Sequence, residues 1–323
     1  MKQRALLLSV PLVVVLCAGS IIARGAPPLR TVMRLPLAET TGPEDLGYSP
    51  NGNYIATAGE KGLKLWDAVT GKLLYTRAGK TLGVQHLAFS PDSTRLAAIS
   101  GGDLTLYDTV TGRALRTITG DAADFRVCRF FPDSQRILTG SYGMQAKVWD
   151  TKTGHLLLTL KNTLNRYFDI AISPDGRWIA SGHGKDNEPG FLAIWDARSG
   201  KRVRVIPYKV QIITVCFSPD SSRVASGGSG ESKIWDRATG RSLLSLGGHE
   251  GVVDAVVYSP DGKRLATGSE DGNIHLWDAA TGAPLLSLKA AESWTMRLAF
   301  SPDGKRLLSI NDKDVQVWDV QTK

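Results

Sequence analysis

A Ser-Pro or Phe-Pro step followed by Asp or Asn returns seven times along the 323-residue chain, at Pro50, Pro91, Pro132, Pro174, Pro219, Pro260 and Pro302, at intervals of 41, 41, 42, 45, 41 and 42 residues. An aromatic-Asp pair keeps the same step. It falls at Trp66-Asp67, Tyr107-Asp108, Trp149-Asp150, Trp195-Asp196, Trp235-Asp236, Trp277-Asp278 and Trp318-Asp319, with a Thr-Gly or Ser-Gly turn after the first six. Two landmarks held in one register through seven copies argue for a single repetitive domain. In the copy at 259–282, the runs Arg264 to Ser269 and Asn273 to Trp277 flank the turn Glu270-Asp271-Gly272, which describes a hairpin bounded by turns. Counting back from each motif proline, the second position reads Tyr48, Phe89, Phe130, Ile172, Phe217, Tyr258 and Phe300, and the fourth reads Leu46, Leu87, Cys128, Ile170, Val215, Val256 and Leu298. These are period-two apolar columns of strands. One small sheet cannot bury both faces, so the units must stack with the motif aromatics between them.

On these motifs the stretch from Arg30 to Lys323 resembles the WD-repeat family, whose members build one four-stranded propeller blade per repeat of roughly 40–45 residues. The resemblance implies an all-β, seven-bladed β-propeller of four-stranded antiparallel blades, and the N-terminal segment points to an exported, bacterial-type member. Only Val320 to Lys323 follow Asp319, too few for an outer strand, whereas residues 30–37 (RTVMRLPL) match the pattern of outer strands at 113–120 and 155–162. The N-terminal segment is therefore expected to pair with the last blade and close the ring, which removes exposed strand edges.

Residues 1–25 have the layout of an export signal. Lys2 and Arg4 precede an uncharged stretch from Ala5 to Ala23, and small residues offer cleavage after Ser20 or Gly25. The apolar run is also long enough for an uncleaved membrane anchor. Either reading places the propeller outside the cytoplasm, in a periplasmic, extracellular or membrane-anchored position. Leu16 before Cys17 departs from the bacterial lipobox. The remaining cysteines, Cys128 and Cys216, fall in units three and five, so two unpaired thiols are expected, and no CxxC or CxxCH motif supports a thiolate metal site or covalent haem.

The net charge of +8 raises the question of an acidic partner. Arg95, Arg136, Arg177, Arg223, Lys263-Arg264 and Lys305-Arg306 follow the motif prolines, and Lys72, Arg113, Lys201-Arg202 and Arg241 follow the Thr-Gly or Ser-Gly turns, so one end of the propeller is rimmed with cations. Asp92, Asp133, Asp175, Asp220, Asp261 and Asp303 offset them. Weak contact with an anionic envelope surface is the functional reading of that rim. Nucleic acid is not expected, because the turns lack interleaved aromatics.

No HExxH, GxSxG or P-loop motif is present, and His86, His155, His183, His249 and His275 fall in different units, apart from the last two. No cofactor, metal or catalytic residue is expected. The resemblance implies a hydrogen-bonded structural tetrad of His249, Thr267, Asp271 and Trp277. The other units lack a Gly-His before the first strand, which suggests reliance on apolar stacking more than on polar networks. The segment HGKDNEPG at 183–190 reads as an inserted surface loop whose Asp186, Asn187 and Glu188 are hard-oxygen candidates for a cation.

The resemblance also implies a partner at the end where each first strand begins. Eight before the motif prolines stand Gly42, Gly83, Asp124, Arg166, Gln211, Val252 and Trp294; six before stand Glu44, Gln85, Arg126, Phe168, Ile213, Asp254 and Met296. The set differs from unit to unit and mixes Arg with aromatics, types enriched at hot spots. Arg126, Arg166, Phe168, Trp294 and Met296 are the candidate partner-binding residues of a monomeric, non-enzymatic scaffold for a protein or peptide. A glycan- or envelope-polymer-binding propeller and an enzyme or redox propeller with a channel-mouth site are the alternatives.

Overall fold

The computed structural model describes residues 31–36, 44–80, 83–120, 125–141, 145–161, 166–185, 188–291, 297–310 and 314–321, with residues 161, 166–168 and 185 described through their backbone alone. The described residues form seven four-stranded antiparallel sheets. Their first strands are Asp45–Tyr48, His86–Phe89, Phe125–Phe130, Arg166–Ile172, Ile212–Phe217, Val253–Tyr258 and Leu298–Phe300. These seven strands touch one another in ring order, and the first also meets the seventh, so the sheets are the blades of a closed propeller. The expected all-β, seven-bladed architecture is the one observed.

Closure comes from Thr31–Pro36, which pairs antiparallel with Asp314–Asp319 as the outer strand of blade seven, Leu35 opposite Val315 and Arg34 opposite Gln316. Leu35 is fully buried among Leu46, Ile55, Trp66, Ile310 and Val315. Burying one such leucine is worth about 2 kcal/mol. The strand thus joins the two chain ends through the seam between blades seven and one.

The interior divides into seven apolar clusters, each drawn from two neighbouring blades. The column four before each motif proline is buried throughout, Leu46, Leu87, Cys128, Ile170, Val215, Val256 and Leu298. In six blades the pairing of third and outer strands slips by one residue at the aromatic of the Trp-Asp pair, between Leu276 and Trp277 in blade six. Such a bulge increases local twist. The adjoining Asp caps the turn: Asp67 Oδ1 accepts from Thr70 N at 2.7 Å and Thr70 Oγ1 at 2.8 Å, and the arrangement recurs through Asp278 and Thr281. These bonds hold the carboxyls of Asp67, Asp108, Asp150, Asp196, Asp236 and Asp278 below the ordinary carboxylate range.

Several cations of the basic rim are engaged between blades. Arg95 reaches Thr151 Oγ1 at 2.6 Å and the Ser134 carbonyl, Arg223 donates to the Ala279 carbonyl at 2.9 Å, and Arg264 donates to the carbonyls of Gly304 and Val320. Blade four carries Trp178 at the equivalent place, and there Arg237 of blade five stacks over the indole at 4.4 Å. The rim is thus in good part a set of staples, because a guanidinium can span two carbonyls of the adjacent turn. Cys128 and Cys216 are both free.

Two expectations are corrected. Residues 183–190 are a hairpin extension, not an inserted loop. Trp178–Lys185 and Glu188–Asp196 run long and pair as far as Lys185 with Glu188, while Asp186 and Asn187 lie outside the described residues. And the apolar stacking expected of the blades other than the sixth is accompanied by a polar link in five of them. Trp66, Trp149, Trp195, Trp235 and Trp318 each donate an indole N–H to a hydroxyl on the second strand, Thr57, Thr139, Ser181, Ser226 and Ser309, at 2.8–3.0 Å. A buried indole N–H needs an acceptor. In blade four His183 Nε2 adds a further bond to Ser181 Oγ at 2.7 Å, so this histidine supplies from within the blade what His249 supplies from a loop.

Candidate functional site

The motif-proline and Thr-Gly turns share one end of the propeller, and the starts of the inner strands share the other. At that second end Arg126 is half-buried on the inner strand of blade three. Arg166 and Phe168 lie on the inner strand of blade four, with Arg166 opposite Gly184, and their side chains are outside what is described. Trp294 and Met296, like Asp124, lie outside the described residues. The structure therefore sets Glu44, Gln85, Arg126, Gln211, Ile213, Val252 and Asp254 around one opening, in blade order.

Just inside this opening lies a polar belt that links blade to blade. Arg297 of blade seven is 3.4 Å from Asp45 Oδ1 of blade one, and Asp45 Oδ2 is 3.4 Å from His86 Nδ1 of blade two. Arg129 of blade three donates to His86 Nε2 at 2.6 Å and pairs with Asp169 of blade four at 3.2 Å. Thr214 and the Val215 amide of blade five complete the chain by donating to Asp169 Oδ2 at 3.4 and 3.1 Å. Both aspartates also take backbone amides of the following blade, Leu87 N to Asp45 at 2.9 Å and Val215 N to Asp169. The belt thus ties six consecutive blades at the wall of the channel.

Burial raises the Asp45 carboxyl, with Arg297 and Arg129 opposing, and burial together with the same two arginines holds the His86 imidazole well below its ordinary value. His86 is therefore neutral, accepting at Nε2 from Arg129 and carrying its proton on Nδ1 toward Asp45. Both nitrogens of His86 are occupied, so this imidazole is not a free base. Burial pushes the Cys128 and Cys216 thiols up to about 12, so neither is a ready thiolate. The channel widens into a cavity of about 330 Å³ lined by Arg129, Asp169, Thr214, Cys216, Asp254 and Arg297 among apolar neighbours. Asp254 stands apart. Burial and the Glu270 carboxylate raise it to about 7 against the pull of Arg297.

The belt was missed in the sequence because the columns inspected were those at even offsets. Five before the motif prolines stand Asp45, His86, Asp169, Thr214 and Arg297, and Arg129 stands three before. Charged or hydrogen-bonding residues of mixed sign, facing inward at odd offsets from several repeats, are the signal that would have found it.

At the same end, blade six gathers the four tetrad residues. Trp277 Nε1 donates to Thr267 Oγ1 at 2.9 Å, Thr267 Oγ1 meets His249 Nε2 at 2.8 Å, and His249 Nδ1 meets Asp271 Oδ2 at 2.9 Å. Amides from Glu250 and Asn273 fix the Asp271 carboxylate at 3.0 and 2.8 Å. His275 packs edge-on against His249, ring centroids 4.2 Å apart, and its Nε2 is buried without a hydrogen-bond partner. One donor atom each from His249, Asp271 and His275 lie within 4.8 Å of one another.

Comparison with known proteins adds three relatives. The chain is 30% identical over 128 residues to an uncharacterized WD repeat-containing protein of Synechocystis, covering 39% of this chain and 35% of that protein. It is 27% identical over 179 residues to autophagy-related protein 16 of Arabidopsis thaliana, covering 43% and 35%. It is 30% identical over 145 residues to small ribosomal subunit protein RACK1y of rice, Oryza sativa subsp. japonica, covering 43% and 42%. In these three relatives the match spans between a third and a half of the curated protein. The family model described as WD domain, G-beta repeat matches seven times, at 38–67, 71–108, 112–150, 154–196, 200–236, 240–278 and 282–319, as many matches as there are blades. With seven motif copies, seven blades and seven family matches in one register, the chain belongs to the WD-repeat family.

Proposed function

We propose that this propeller is a non-enzymatic platform that binds a protein or peptide partner at the end where the inner strands begin. One observation carries the reading. The column four before each motif proline is apolar and buried in all blades, whereas the column six before it, whose described members lie at the channel mouth, changes along the sequence from Glu44 to Gln85, Arg126, Phe168, Ile213, Asp254 and Met296. Packing alone favours repetition, so a non-repeating mouth on a repeating core is what selection for a ligand leaves. Propellers of this family generally serve as protein-interaction scaffolds. The belt beneath the mouth supports the same use, since rigid surroundings reduce the ordering cost of binding.

The test is a crosslinked pull-down with the wild type and an Arg126→Glu, Phe168→Ala, Trp294→Ala variant of matched melting temperature. Capture of a defined protein by the wild type and its loss in the variant supports the face; equal capture overturns it. The leader-like residues 1–25 place the platform outside the cytoplasm in this proposal, as a cleaved or anchored protein. Cell fractionation with N-terminal sequencing checks that part, and an intact N-terminus in the cytosolic fraction overturns it.

A further inference from the structure

We propose that His249, Asp271 and His275 form a site for a divalent transition metal, zinc by its ligand chemistry, at the end of blade six where the inner strands begin. His249 comes from the segment between the outer strand of blade five (Ser242–Leu246) and the inner strand of blade six, Asp271 from the turn between the second strand (Arg264–Ser269) and third strand (Asn273–Asp278) of blade six, and His275 from that third strand. Two imidazoles and a carboxylate are a common zinc donor set that leaves a fourth position open.

The tetrad already uses His249, Thr267, Asp271 and Trp277, so the question is what it leaves unexplained. It leaves His275. This side chain sits two residues before the motif Trp, where blades three and five carry Lys147 and Lys233, and those ammonium groups lie over the indoles at 5.9 and 5.8 Å. In blade six the same place holds an imidazole with a buried, unpartnered Nε2, 5.5 Å from the Trp277 ring. A metal ion there returns a cation to the position and satisfies the orphaned nitrogen, whose burial unpaired is otherwise costly.

The geometry needs a small adjustment. Zinc with bonds of about 2.1 Å spaces tetrahedral ligand atoms about 3.4 Å apart, so the 2.9 Å contact between His249 Nδ1 and Asp271 Oδ2 opens by about half an ångström and the His275 ring swings toward them. Protons balance without loss. In the empty site His249 carries its proton on Nδ1 toward Asp271 and accepts the Thr267 hydroxyl at Nε2. In the filled site the imidazole stays neutral as the other tautomer, binds through Nδ1 and donates Nε2–H to Thr267 Oγ1, which still accepts from Trp277 and turns its own proton away from His249. That is the arrangement that orients a metal-bound histidine, a second nitrogen donating to a fixed acceptor. The amides of Glu250 and Asn273 serve the carboxylate in the same way. The ion pins the segment preceding blade six to its turn.

The experiment uses the untagged full chain, equilibrated with zinc and then assayed for bound metal per chain and for melting temperature, beside a His275→Lys variant. That variant installs the residue that blades three and five carry, so it keeps the tetrad and supplies an ammonium over the indole but removes a ligand. The wild type should hold one zinc per chain and melt higher with zinc present, and His275→Lys should lose zinc affinity by about 100-fold or more while its zinc-free melt stays near the wild type. Cobalt in place of zinc should show tetrahedral visible absorption in the wild type alone. A wild type that binds no zinc at micromolar concentration, or a variant that binds it equally, overturns the site.

Discussion

Blade six and blade two share strand order and turn chemistry, yet they solve the same packing problem with different residues. In blade six the indole of Trp277 enters a chain of hydrogen bonds through Thr267 and His249 to Asp271. In blade two the aromatic is Tyr107, and Ala98 stands where the other blades carry the hydroxyl. Tyr107 packs half-buried against Leu63, Leu65, Leu87 and Leu96 instead. The two substitutions go together for a physical reason. A buried indole N–H demands an acceptor within the blade, whereas a phenol carries its polar atom at the far tip, where it can reach the edge. The second-strand hydroxyl therefore belongs to the indole and not to the fold.

The largest test of this contrast compares truncation of the two aromatics. Trp277→Ala should cost about 3–5 kcal/mol, the usual loss for a buried Trp, because it removes the contact between blades five and six and leaves the Thr267 oxygen without its indole donor. Tyr107→Ala, with a half-buried ring and no network behind it, should cost about half of that. Urea unfolding reads both. Equal losses would mean that the tetrad adds nothing to packing.

A second difference lies at the channel mouth, where blade six has Asp254 and blade two has the uncharged Gln85. The Asp254 carboxyl is raised to about 7 in the folded protein by burial and by Glu270, while the unfolded chain ionises it near the usual value of about 4. Between those values the folded state binds more protons, so this group makes stability fall as pH rises from about 4 to about 7. Asp254→Asn should consequently stabilise the protein by about 2 kcal/mol at pH 8, a figure already cut for solvent screening, and leave it unchanged near pH 4. A stabilisation that does not grow with pH would locate its cause elsewhere.

The sequence revealed some parts of this contrast and hid others. The motif prolines and Trp-Asp pairs announced the blades because a repeat places the same demand at the same step, and residues 30–37 could be assigned to the last blade because one outer strand was missing there. The belt of Arg297, Asp45, His86, Arg129, Asp169 and Thr214 could not be read the same way. Its members come from six repeats, no two neighbours are chemically alike, and each makes sense only beside a residue some 40 positions away or, for Arg297 with Asp45, across the closure of the ring. The indole acceptors stand in the sequence at positions such as Thr57 and Ser226, but a lone Ser or Thr on a strand carries no signal until the fold brings the indole to it. As for the candidate partner face, the sequence supplied its column of residues, and the structure describes side chains for only some of them, with Arg126 the one named candidate that it shows in full.

Blade two can also be rebuilt toward blade six. Introducing Ala98→Thr and Tyr107→Trp together should recover the indole-to-hydroxyl bond seen in the other six blades. A double-mutant cycle should give a coupling of about 1 kcal/mol in favour of the pair, the net worth of one buried hydrogen bond. Each single change should be neutral or unfavourable, Tyr107→Trp because it buries an N–H without an acceptor. Additive effects would show that the hydroxyl and indole are associated by descent and not by energy.

The smallest expected effect is in the motif-proline turns, where blade six has Gly262 with φ of 70° and blade two has Ser93 with φ of 61°. A left-handed Ser costs roughly 1 kcal/mol relative to Gly. Ser134 and Ser221 share that conformation, and all three hydroxyls receive an amide from the preceding blade, Asn51 N to Ser93 at 3.0 Å, Asp92 N to Ser134 at 3.1 Å and Asp175 N to Ser221 at 3.1 Å. A bond of this kind contributes about 1 kcal/mol, which offsets the backbone strain. Ser93→Gly should therefore change stability by less than about 0.5 kcal/mol, because it relieves the strain and forfeits the bond together. Ser93→Ala keeps the strain and loses the bond, and should cost about 1 kcal/mol. If both variants are equally destabilised, the strain is not real; if both are neutral, the bond between blades one and two contributes nothing, and the glycine of blade six and the serine of blade two are equivalent for a reason other than compensation.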